Sequence, residues 1–582
     1  MQKIGRLGRL KEILGIREIV YRPIRSDFCS ASLLIACFIL MVLLVNPIGE
    51  FPTYDDWIYA ATVKSILEKG RFEIQTGSSA NVFAHAYWGA IFCLPFGFSF
   101  TALRFSILTL GIIGVLATYF LLKELSQSYT LSLLGALTLL VNPVYFWSCN
   151  TFMTDISFYC FAVLAVLFIL LGNRTNSFVV TAFGLALSLI SILIRQVGIA
   201  IPVSYAIAYL LQRGVRPRTL FNAVLPALAG ISIHITFRLW VAHYQRMPQE
   251  LNPQYKMAID LIMHGPFGVC HNIAGVGLYA LFYLGMFLFP FIILLDRNAD
   301  RLDSNRAARY WLLGISWFCI TLMALRMLVK GRCMPYFQGI IQTHGLGPML
   351  LRDTGNLRVN LPVVPRAITV FWFCMSVISA IGAVYLTYYC ICALSQFLRG
   401  CKGSARGAEY WNLSISLLVG VFYFAPTAVV YFHDRYYLLL IPTCMMLCTI
   451  GAGFSISHKI HKTSMFVSVF LILITAGFST CATRDYMEWN RVRWTVLKQL
   501  EDEGIRANNI DGGSEFNGWH ISERPSDVSN GGFGLGATVW CVEGEYVVAS
   551  GKLAGYKELR RYPFKRMLTL QQEDIIVLRK IY

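Results

Sequence analysis

The sequence predicts an all-α bundle of membrane-spanning helices that is followed by a small soluble α/β domain. Of its 582 residues, 56% are hydrophobic, and the mean hydropathy is +0.57. Its apolar runs repeatedly reach the ~20 residues that a helix needs to cross a bilayer. These runs stop near residue 481. We therefore predict a basic N-terminal segment over 1–27, a membrane domain over 28–481 and a soluble domain over 482–582.

The positive charge of the chain indicates orientation in a membrane and not binding to nucleic acid. The formal net charge is +18, but residues 484–580 carry 14 Lys or Arg and 14 Asp or Glu. The whole excess therefore lies in the membrane part, where basic loops fix the orientation of the helices. We expect the lipid bilayer as a partner and no nucleic acid.

Thirteen apolar runs are predicted to be spanning helices, and this odd number places the two termini on opposite faces. Before residue 482, 21 basic residues lie in the N-terminal segment and the short loops on its side, and 15 lie in the longer loops opposite. This bias predicts a cytoplasmic N-terminus and an external C-terminal domain. The predicted helices begin near Phe28, Ala102, Thr130, Ile156, Ser177, Val197, Leu220, Ile273, Tyr310, Ala367, Trp411, Tyr436 and Ser464.

The loop after the first span, 49–103, contains an apolar stretch that we do not count as a span. Residues 84–100, AHAYWGAIFCLPFGFSF, are nearly long enough to cross, but Pro95 and Gly97 interrupt them. Counting this stretch would invert every later loop and place the basic loops outside, so we predict a re-entrant or membrane-surface helix. Two further outer loops, 241–272 and 329–365, are rich in Gly, Pro and polar residues and are predicted to cover a cavity.

Three segments predict the fold of the C-terminal domain. NRVRWTVLKQLEDEGI has helical periodicity, whereas GEYVVASG and MLTLQQEDIIVLRKI are typical of strands. The glycines of NGGFGLGA neither follow a strand nor open a helix, so we predict no nucleotide site there. The 16 cysteines of the chain include no CxxC pair and predict small buried side chains without a disulfide framework.

The stretch FPTYDDWIYA, residues 51–60, places two adjacent acids, Asp55 and Asp56, at the mouth of the first span. Adjacent side chains point in different directions, so the two acids are expected to have different roles. Like charges this close also favour one protonated carboxyl, which suits a general base working near neutral pH. Capping of the following helix explains one acid. Two acids flanked by Tyr54, Trp57 and Tyr59 favour a functional role.

Further candidates lie at the predicted outer ends of other spans. Asp155 in NTFMTDISFYC is compatible with either a helix cap or a functional acid. The segment YFHDRYYLLLIP places Arg435 at the mouth of the twelfth span, and Arg104 and Arg195 lie at similar ends. Arginine at this level either contacts lipid head groups or binds a phosphate with two hydrogen bonds. His85, in FAHAYW, lies near aromatic side chains that would suit a sugar ring or a membrane interface.

Several motifs in order along the chain resemble one known family. YDDWIYA, AHAYWGAIFCLPFG with LRFSILTLGIIGVLATYFLLKEL, VNPVYFWSCNTFMTDISF and FHDRYYLLLIP resemble the GT-C superfamily of integral membrane glycosyltransferases, above all its bacterial protein-mannosyltransferase-like and aminoarabinose-transferase-like branch. The resemblance extends over 46–442, and IDGGSEFNGWH resembles the soluble tail of some bacterial members. The chain departs from the family in its Asp-Asp pair, where many members have Asp-Glu, and in lacking a Pro-Pro step before YW.

The resemblance implies an inverting transfer of a sugar from a polyprenyl-phosphate carrier, without a nucleotide, outside the bacterial cytoplasmic (inner) membrane. It implies that Asp55 is the base that deprotonates the acceptor hydroxyl and that Asp56 supports it. Asp55 and Asp56 would also be the ligands of a divalent cation, if one is used. Asp155 matches the acid of the family's second outer loop. The candidates for contact with the lipid phosphate or the sugars are Arg435, Arg195, Arg104, His85, Tyr436 and His433.

The expected acceptor is a cell-envelope glycan or glycolipid such as lipopolysaccharide, and a protein acceptor is the alternative. A transporter or flippase for lipid-linked or anionic substrates is a different class of function. Such a protein should place ionisable residues near the bilayer midplane and often contains repeats. A third alternative is a glycan-binding or assembly protein that has the fold without the chemistry. Charges at the outer mouths, and the lack of a visible repeat, favour the enzyme.

Overall fold

The apolar runs of the sequence form a bundle of α-helices in the computed structural model of the chain. The structure describes residues 24–75, 78, 80–245, 259–261, 263, 265–295, 306–336, 339–402, 407–430, 433–453, 460–520, 542 and 544–581. In chain order the helices are α1 (Ile24–Val45), α2 (Asp56–Lys69), α3 (Phe83–Cys93), α4 (Phe100–Ser126), α5 (Tyr129–Leu140), α6 (Pro143–Cys149), α7 (Thr154–Thr175), α8 (Phe178–Ile194), α9 (Ala200–Arg213), α10 (Pro217–Gln245), α11 (Gly265–Ile292), α12 (Arg306–Val329), α13 (Arg366–Lys402), α14 (Ala408–Val430), α15 (Leu440–Gly451), α16 (Lys462–Asp502) and α17 (Ser514–Trp519).

Eight helices in the described part of the chain are long and apolar enough to cross a membrane: α1, α4, α7, α10, α11, α13, α14 and α16. Helices α5 and α6 are bent by 65° relative to each other and would make a ninth span if they form one broken helix. The predicted multi-pass helical membrane fold is therefore confirmed. The predicted number of thirteen spans is not shown.

Part of the difference from thirteen spans comes from helix length. Each predicted start lies within eight residues of a helix start, so the apolar runs do form helices. However, α9 has 14 residues and α15 has 12. Helices of this length extend about 20 Å, less than the ~30 Å of a hydrocarbon core. Most side chains of α15 are buried against other helices. An apolar run thus predicts burial in the bundle as readily as contact with lipid, and the orientation of the chain stays a prediction.

The loop after the first span, 49–103, folds into two short helices that lead to α4. Helix α3 has 11 residues and is too short to cross a membrane. Glu50 holds the start of α4, because its carboxylate accepts hydrogen bonds from the backbone N–H of Phe100 at 2.8 Å and from the Ser99 hydroxyl at 2.7 Å. Burial alone would raise the pKa of the Glu50 carboxyl, but hydrogen bonds from Thr101, Ser99 and Phe100 outweigh it and lower the pKa. The loop is thereby fixed to the bundle at its C-terminal end.

The predicted break between the fifth and sixth apolar runs is present. Helix α8 ends at Ile194, Arg195 is extended with φ −140° and ψ 132°, and a 3₁₀ turn over Gln196–Ile199 leads to α9. Because α7 begins next to Asp155 and α8 returns antiparallel to it, the two ends bring Asp155 and Arg195 together. A second 3₁₀ turn, Asp434–Tyr437, precedes α15 and carries Arg435.

The C-terminal domain contains a four-stranded mixed sheet, which confirms the small α/β domain. The strand order is β3 (Ile510–Asp511), β4 (Tyr546–Ala549), β6 (Gln572–Lys580) and β5 (Tyr556–Lys565); β3 and β4 are parallel and the other pairs antiparallel. Strand β5 is absent from the sequence prediction because its residues are mostly polar. This composition, with Pro563, is typical of an edge strand.

Two connections place the C-terminal domain on the bundle. The helix predicted after the last span is not separate from it, because α16 runs without a break for 41 residues. The loop at 339–357 contains a hairpin of β1 (Ile341–Gln342) and β2 (Gly345–Leu346). The backbone N–H of Ile341 donates to Asp434 at 2.8 Å, and that of Ser514 donates to the Leu350 carbonyl at 2.9 Å. The loop thus joins the Arg435 turn to α17.

Candidate active site

The turn before α2 separates the two adjacent acids. The Asp56 carboxylate accepts hydrogen bonds from the backbone N–H of Thr53, at 3.2 Å, and from the Thr53 hydroxyl. The backbone N–H of Asp56 in turn donates to the Thr53 carbonyl at 3.1 Å. Asp55 is the N-cap residue of α2, but its side chain makes no capping hydrogen bond. Asp56 therefore closes the turn, and Asp55 is directed elsewhere.

Asp55, Asp155, Arg195 and Arg435 form a charged cluster from four separate segments. Arg195 Nη1 lies 2.7 Å from Asp155 Oδ1, and Arg435 Nε lies 3.9 Å from Asp155 Oδ2. On its other side, Arg435 Nη2 lies 3.3 Å from Asp55 Oδ2. The Asp155 side chain is 1% exposed and the Asp55 side chain 33% exposed. The cluster therefore has one buried acid in contact with both arginines and one accessible acid in contact with Arg435 only.

Two tyrosine rings pack against the arginines of the cluster. The Arg435 guanidinium lies 5.2 Å from the ring centroid of Tyr54 and 5.7 Å from that of Tyr436. The Arg195 guanidinium lies 5.2 Å from the Tyr436 ring. Such contacts attract a cation to the face of an aromatic ring and restrict its position. Tyr436 is thus part of the site as an aromatic support for both arginines.

His433 connects the cluster to the hairpin loop. Its Nδ1 lies 2.8 Å from Asp434 Oδ1, and its Nε2 lies 3.4 Å from the Tyr54 hydroxyl. Asp434 is completely buried and accepts a hydrogen bond from Ile341. His433 therefore lies between Asp434 and the hydroxyl group of Tyr54.

Asp56 is fully buried beside this cluster. Burial raises the pKa of its carboxyl to about 7, although the hydrogen bonds from Thr53 and the charge of Arg104 act in the opposite direction. The structure therefore gives Asp56 a role in shaping the turn that presents Asp55.

Arg104 does not join the charged cluster. Its side chain is completely buried, and its guanidinium donates to the carbonyls of Pro47 at 3.1 Å, Gly49 at 2.5 Å and Phe51. These three carbonyls belong to the segment that leads from α1 to the acidic pair. In this position Arg104 holds the backbone at the start of the loop at 49–103.

His85 is also buried, in contact with α7. Its Nε2 donates to the Phe152 carbonyl at 3.3 Å, so Nδ1, which lies 2.8 Å from Ser157 Oγ, accepts from that hydroxyl. Burial lowers the pKa of the imidazole to about 3, which keeps it neutral at physiological pH. The ring stacks on Phe152 at 4.1 Å between centroids. His85 therefore packs beneath the site and is not exposed to a ligand.

The two adjacent acids do not fit a shared divalent cation. Asp55 faces Arg435 and Asp56 faces Thr53. Within the described ranges, no group of three or more His, Cys, Asp or Glu side chains is placed to hold a metal ion. A hard cation prefers several oxygen ligands converging on one point, and these two acids do not provide them.

Sequence analysis names Tyr54 only as a neighbour of the two acids and does not select Glu515, which contacts the acidic turn. Tyr54 precedes Asp55, and its backbone N–H donates to Glu515 Oε1 at 3.3 Å. Glu515 lies in IDGGSEFNGWH, in the C-terminal domain. The position of Tyr54 directly before the two acids could have identified it as a site residue from the sequence. Nothing in the sequence pairs it with a residue 461 positions later.

Comparisons with known proteins find similarity only at the level of solved structures. No model of a known protein family matches the chain. No curated protein matches it either.

The solved structures to which the chain is similar include three transferases. The archaeal oligosaccharyltransferase AglB from Archaeoglobus fulgidus, in complex with an inhibitory peptide and a dolichol-phosphate, has 13% identity over 83% of this chain and 60% of its own, with a TM-score of 0.38. ArnT from Cupriavidus metallidurans, bound to undecaprenyl phosphate, has 15% identity over 72% of this chain and 77% of its own, with a TM-score of 0.31. The arabinosyltransferase EmbB from Mycobacterium smegmatis has 13% identity over 95% of this chain and 47% of its own, with a TM-score of 0.33.

The chain thus matches less than two thirds of the length of the archaeal and mycobacterial proteins. These three neighbours are distant, since each shares 15% identity or less with this chain at a TM-score below 0.4.

Proposed function

We propose that this chain is an inverting glycosyltransferase that moves a sugar from a polyprenyl-phosphate carrier to a hydroxyl group of a cell-envelope acceptor. The observation that carries the proposal is the charged cluster, in which Asp155 lies between Arg195 and Arg435 while the accessible Asp55 lies beside Arg435. The reaction needs a base for the acceptor and positive charge for the released phosphate. Asp55 and the two arginines have these properties within one site.

Asp55 is the proposed general base. Its side chain is 33% exposed, whereas the Asp155 side chain is 1% exposed, so Asp55 is the acid of this pair that a substrate can reach. A general base must come within about 3 Å of the proton that it removes. Arg435, at 3.3 Å, orients the Asp55 carboxylate without covering it.

Arg435 and Arg195 are the proposed ligands of the lipid phosphate. Asp155 contacts both guanidinium groups from the buried side and so fixes their orientation. Guanidinium groups match the geometry of phosphate oxygens. Because these cations are already in place, they stabilise the charge that the phosphate gains as it leaves.

The proposed step conserves its atoms and electrons as follows. Asp55 takes the proton of the acceptor hydroxyl, and the acceptor oxygen forms a bond to the anomeric carbon. At the same time the bond from that carbon to the phosphate oxygen breaks, and its electron pair stays on the polyprenyl phosphate. Attack opposite the leaving group inverts the anomeric configuration. No nucleotide takes part.

The proposed location is the outer face of the bacterial cytoplasmic membrane. A donor linked to a lipid reaches a site at the end of a helical bundle through the bilayer. The proposed acceptor is a glycan or glycolipid of the envelope. A comparison of the masses of envelope glycans and lipids with and without the protein would identify both the sugar and the acceptor.

Transfer by the purified protein in lipid nanodiscs tests the proposal. The substrates are a panel of short-chain polyprenyl-phosphate-linked hexoses and pentoses with an envelope extract as acceptor, and the measurement is the release of polyprenyl phosphate. Asp55→Asn should lower the rate by about 10²- to 10⁴-fold, because general-base catalysis typically contributes this much. Glu503→Ala, a change in an exposed ion pair with Arg560, is the matched control and should keep the wild-type rate.

The same assay distinguishes the alternatives. Full activity of folded Asp55→Asn would contradict the proposed base. Movement of a labelled lipid-linked sugar across vesicles without release of polyprenyl phosphate would favour a flippase. A parallel reaction with EDTA examines the divalent cation: since the donor set does not fit one, the rate should be unchanged, and a loss that Mg²⁺ or Mn²⁺ restores would establish a metal.

A further inference from the structure

The short helix α17 of the C-terminal domain contacts the turn that carries Asp55. Glu515 Oε1 accepts a hydrogen bond from the backbone N–H of Tyr54 at 3.3 Å, and Oε2 accepts from Arg493 Nη1 at 2.9 Å. The side chains of Glu515 and Arg493 are both completely buried. Arg493 also donates to Asn490 Oδ1 at 3.0 Å. A carboxylate oriented by α16 is thus fixed against the backbone of the first outer loop.

The backbone of Tyr54 has a conformation that needs such support. Its φ angle is +56°, in the left-handed region that large aromatic side chains seldom adopt. Residues held there cost free energy and persist only where their surroundings fix them, which occurs most often at functional sites. Tyr54 immediately precedes Asp55, so its backbone angles decide where the Asp55 carboxylate points.

Two apolar contacts hold α17 in register with the loop. Gly518 lies so close to the Trp57 ring that an added Cβ would come within 2.5 Å of it. The Trp519 ring lies 5.7 Å from that of Phe98 and 5.1 Å from that of Phe100, measured between centroids. The contact between Glu515 and Tyr54 is therefore part of a packed interface.

We propose that Glu515 is a positioning residue for the transfer reaction: it holds Tyr54 in the left-handed conformation and thereby directs Asp55 towards the acceptor. This inference rests on the proposed function of Asp55. Glu515 acts through the Tyr54 backbone and touches neither substrate. The C-terminal domain therefore completes the active site.

A pair of double variants isolates the hydrogen bond from the buried charge. Arg493→Met with Glu515→Gln removes both charges but leaves a side-chain oxygen that accepts from Tyr54. Arg493→Met with Glu515→Leu removes both charges and the acceptor. Both replace a buried ion pair with uncharged side chains of similar volume, a change that proteins often tolerate. Glu503→Ala is again the surface control.

Two measurements are made on these variants. Hydrogen–deuterium exchange of peptides covering 51–60 reports the opening of the loop and needs no substrate. In the glutamine variant, exchange and kcat should stay close to wild type. In the leucine variant, exchange should be about tenfold faster, as expected for one lost hydrogen bond. Its kcat should fall by about 10- to 100-fold with little change in the KM for the donor, because a displaced base slows chemistry more than binding.

The outcomes separate the two proposals. Equal exchange in the glutamine and leucine variants would overturn the positioning role of Glu515, whatever the activity. Faster exchange in the leucine variant with an unchanged kcat would overturn it as well. Absence of transfer by the wild-type protein from every donor would instead refute the proposed function. The exchange measurement would still test the contact between Glu515 and Tyr54, because it needs no substrate.

Discussion

At the scale of residues, Asp55 and Asp56 differ because only Asp56 is enclosed. The hydrogen bonds from Thr53 occupy the carboxylate of Asp56, and burial raises its pKa to about 7. The carboxylate of Asp55 contacts Arg435 and is partly exposed. The sequence shows both acids but not which of them lies inside, because the direction of each side chain depends on the turn at Tyr54.

The raised pKa of Asp56 predicts how stability depends on pH. An unfolded Asp loses its proton near pH 4, whereas Asp56 in the folded protein retains it up to about pH 7. Between these values the folded state binds more protons than the unfolded state, so this carboxyl makes the protein less stable as pH rises from about 4 to 7. Asp56→Asn should remove this dependence while its side-chain oxygen still accepts from Thr53.

Thermal unfolding of the two proteins at pH 5.5 and pH 8 measures this effect. The fall in Tm between the two pH values should be smaller in Asp56→Asn than in wild type. The same fall in both proteins would contradict it. Transfer activity should decrease less in Asp56→Asn than in Asp55→Asn, because the amide preserves the turn.

Several candidate residues could be predicted from the sequence because of where they lie in their elements. Asp155 and Arg195 flank helix ends on the same side of the bundle, and Arg435 lies in a charged motif before an apolar run. Arg104 and His85 have the same signals in the sequence. The structure places Arg104 against backbone carbonyls and His85 beside Phe152. Charge and position alone do not distinguish a ligand-binding side chain from a buried one that satisfies the backbone.

At the scale of elements, Arg104 links α4 to the segment that follows α1. Arg104→Met keeps the length of the side chain but leaves the carbonyls of Pro47, Gly49 and Phe51 without its hydrogen bonds. Buried acceptors without partners are costly, and the expected loss of stability is roughly 2–4 kcal/mol. We expect a lower Tm and faster proteolysis of the loop at 46–56.

A change in an exposed arginine provides the control for this prediction. Arg561→Met removes ion pairs with Glu558 and Asp574 at the surface of β5 and should change the Tm little, since exposed pairs contribute little stability. An Arg104→Met protein with wild-type Tm but reduced binding of the lipid-linked donor would show that Arg104 contacts substrate instead.

The elements themselves follow from the sequence to different extents. The starts of the helices are predicted within eight residues because apolar runs and the polar loops between them alternate clearly. Which of these helices span the membrane could not be predicted, because α9 and α15 are short and bury many of their apolar side chains inside the bundle. Strand β5 has no apolar alternation to reveal it, because it lies at the edge of its sheet.

At the scale of the whole molecule, α16 sets the position of the C-terminal domain relative to the bundle. Its 41 residues extend about 60 Å, so the helix continues well beyond a hydrocarbon core and carries Arg493 to α17. One additional residue in a helix turns everything after it by about 100° and moves it by about 1.5 Å. The direction of Arg493 is therefore determined by the unbroken length of α16.

Insertion of one alanine after Glu488 should therefore displace Arg493 and Glu515 from the Asp55 turn. We expect transfer to fall by at least about tenfold, because small misplacements of reacting groups are costly. Insertion of one alanine after Lys552, in the connection between β4 and β5, is the matched control and should leave transfer unchanged. Equal activity of the two proteins would contradict a fixed arrangement of the domain and the bundle.

The contact between Glu515 and Tyr54 also has a consequence for the order in which the protein is made. Tyr54 is synthesised 461 residues before Glu515. During most of translation the bundle contains Asp55 and, later, Arg435, but not the carboxylate that contacts the Tyr54 backbone. The site is therefore assembled only when the C-terminal domain has left the ribosome and folded back on the first loop. If the proposed function holds, a chain interrupted before this point would lack the carboxylate that positions Asp55, and it would turn over the lipid-linked donor more slowly than the full chain.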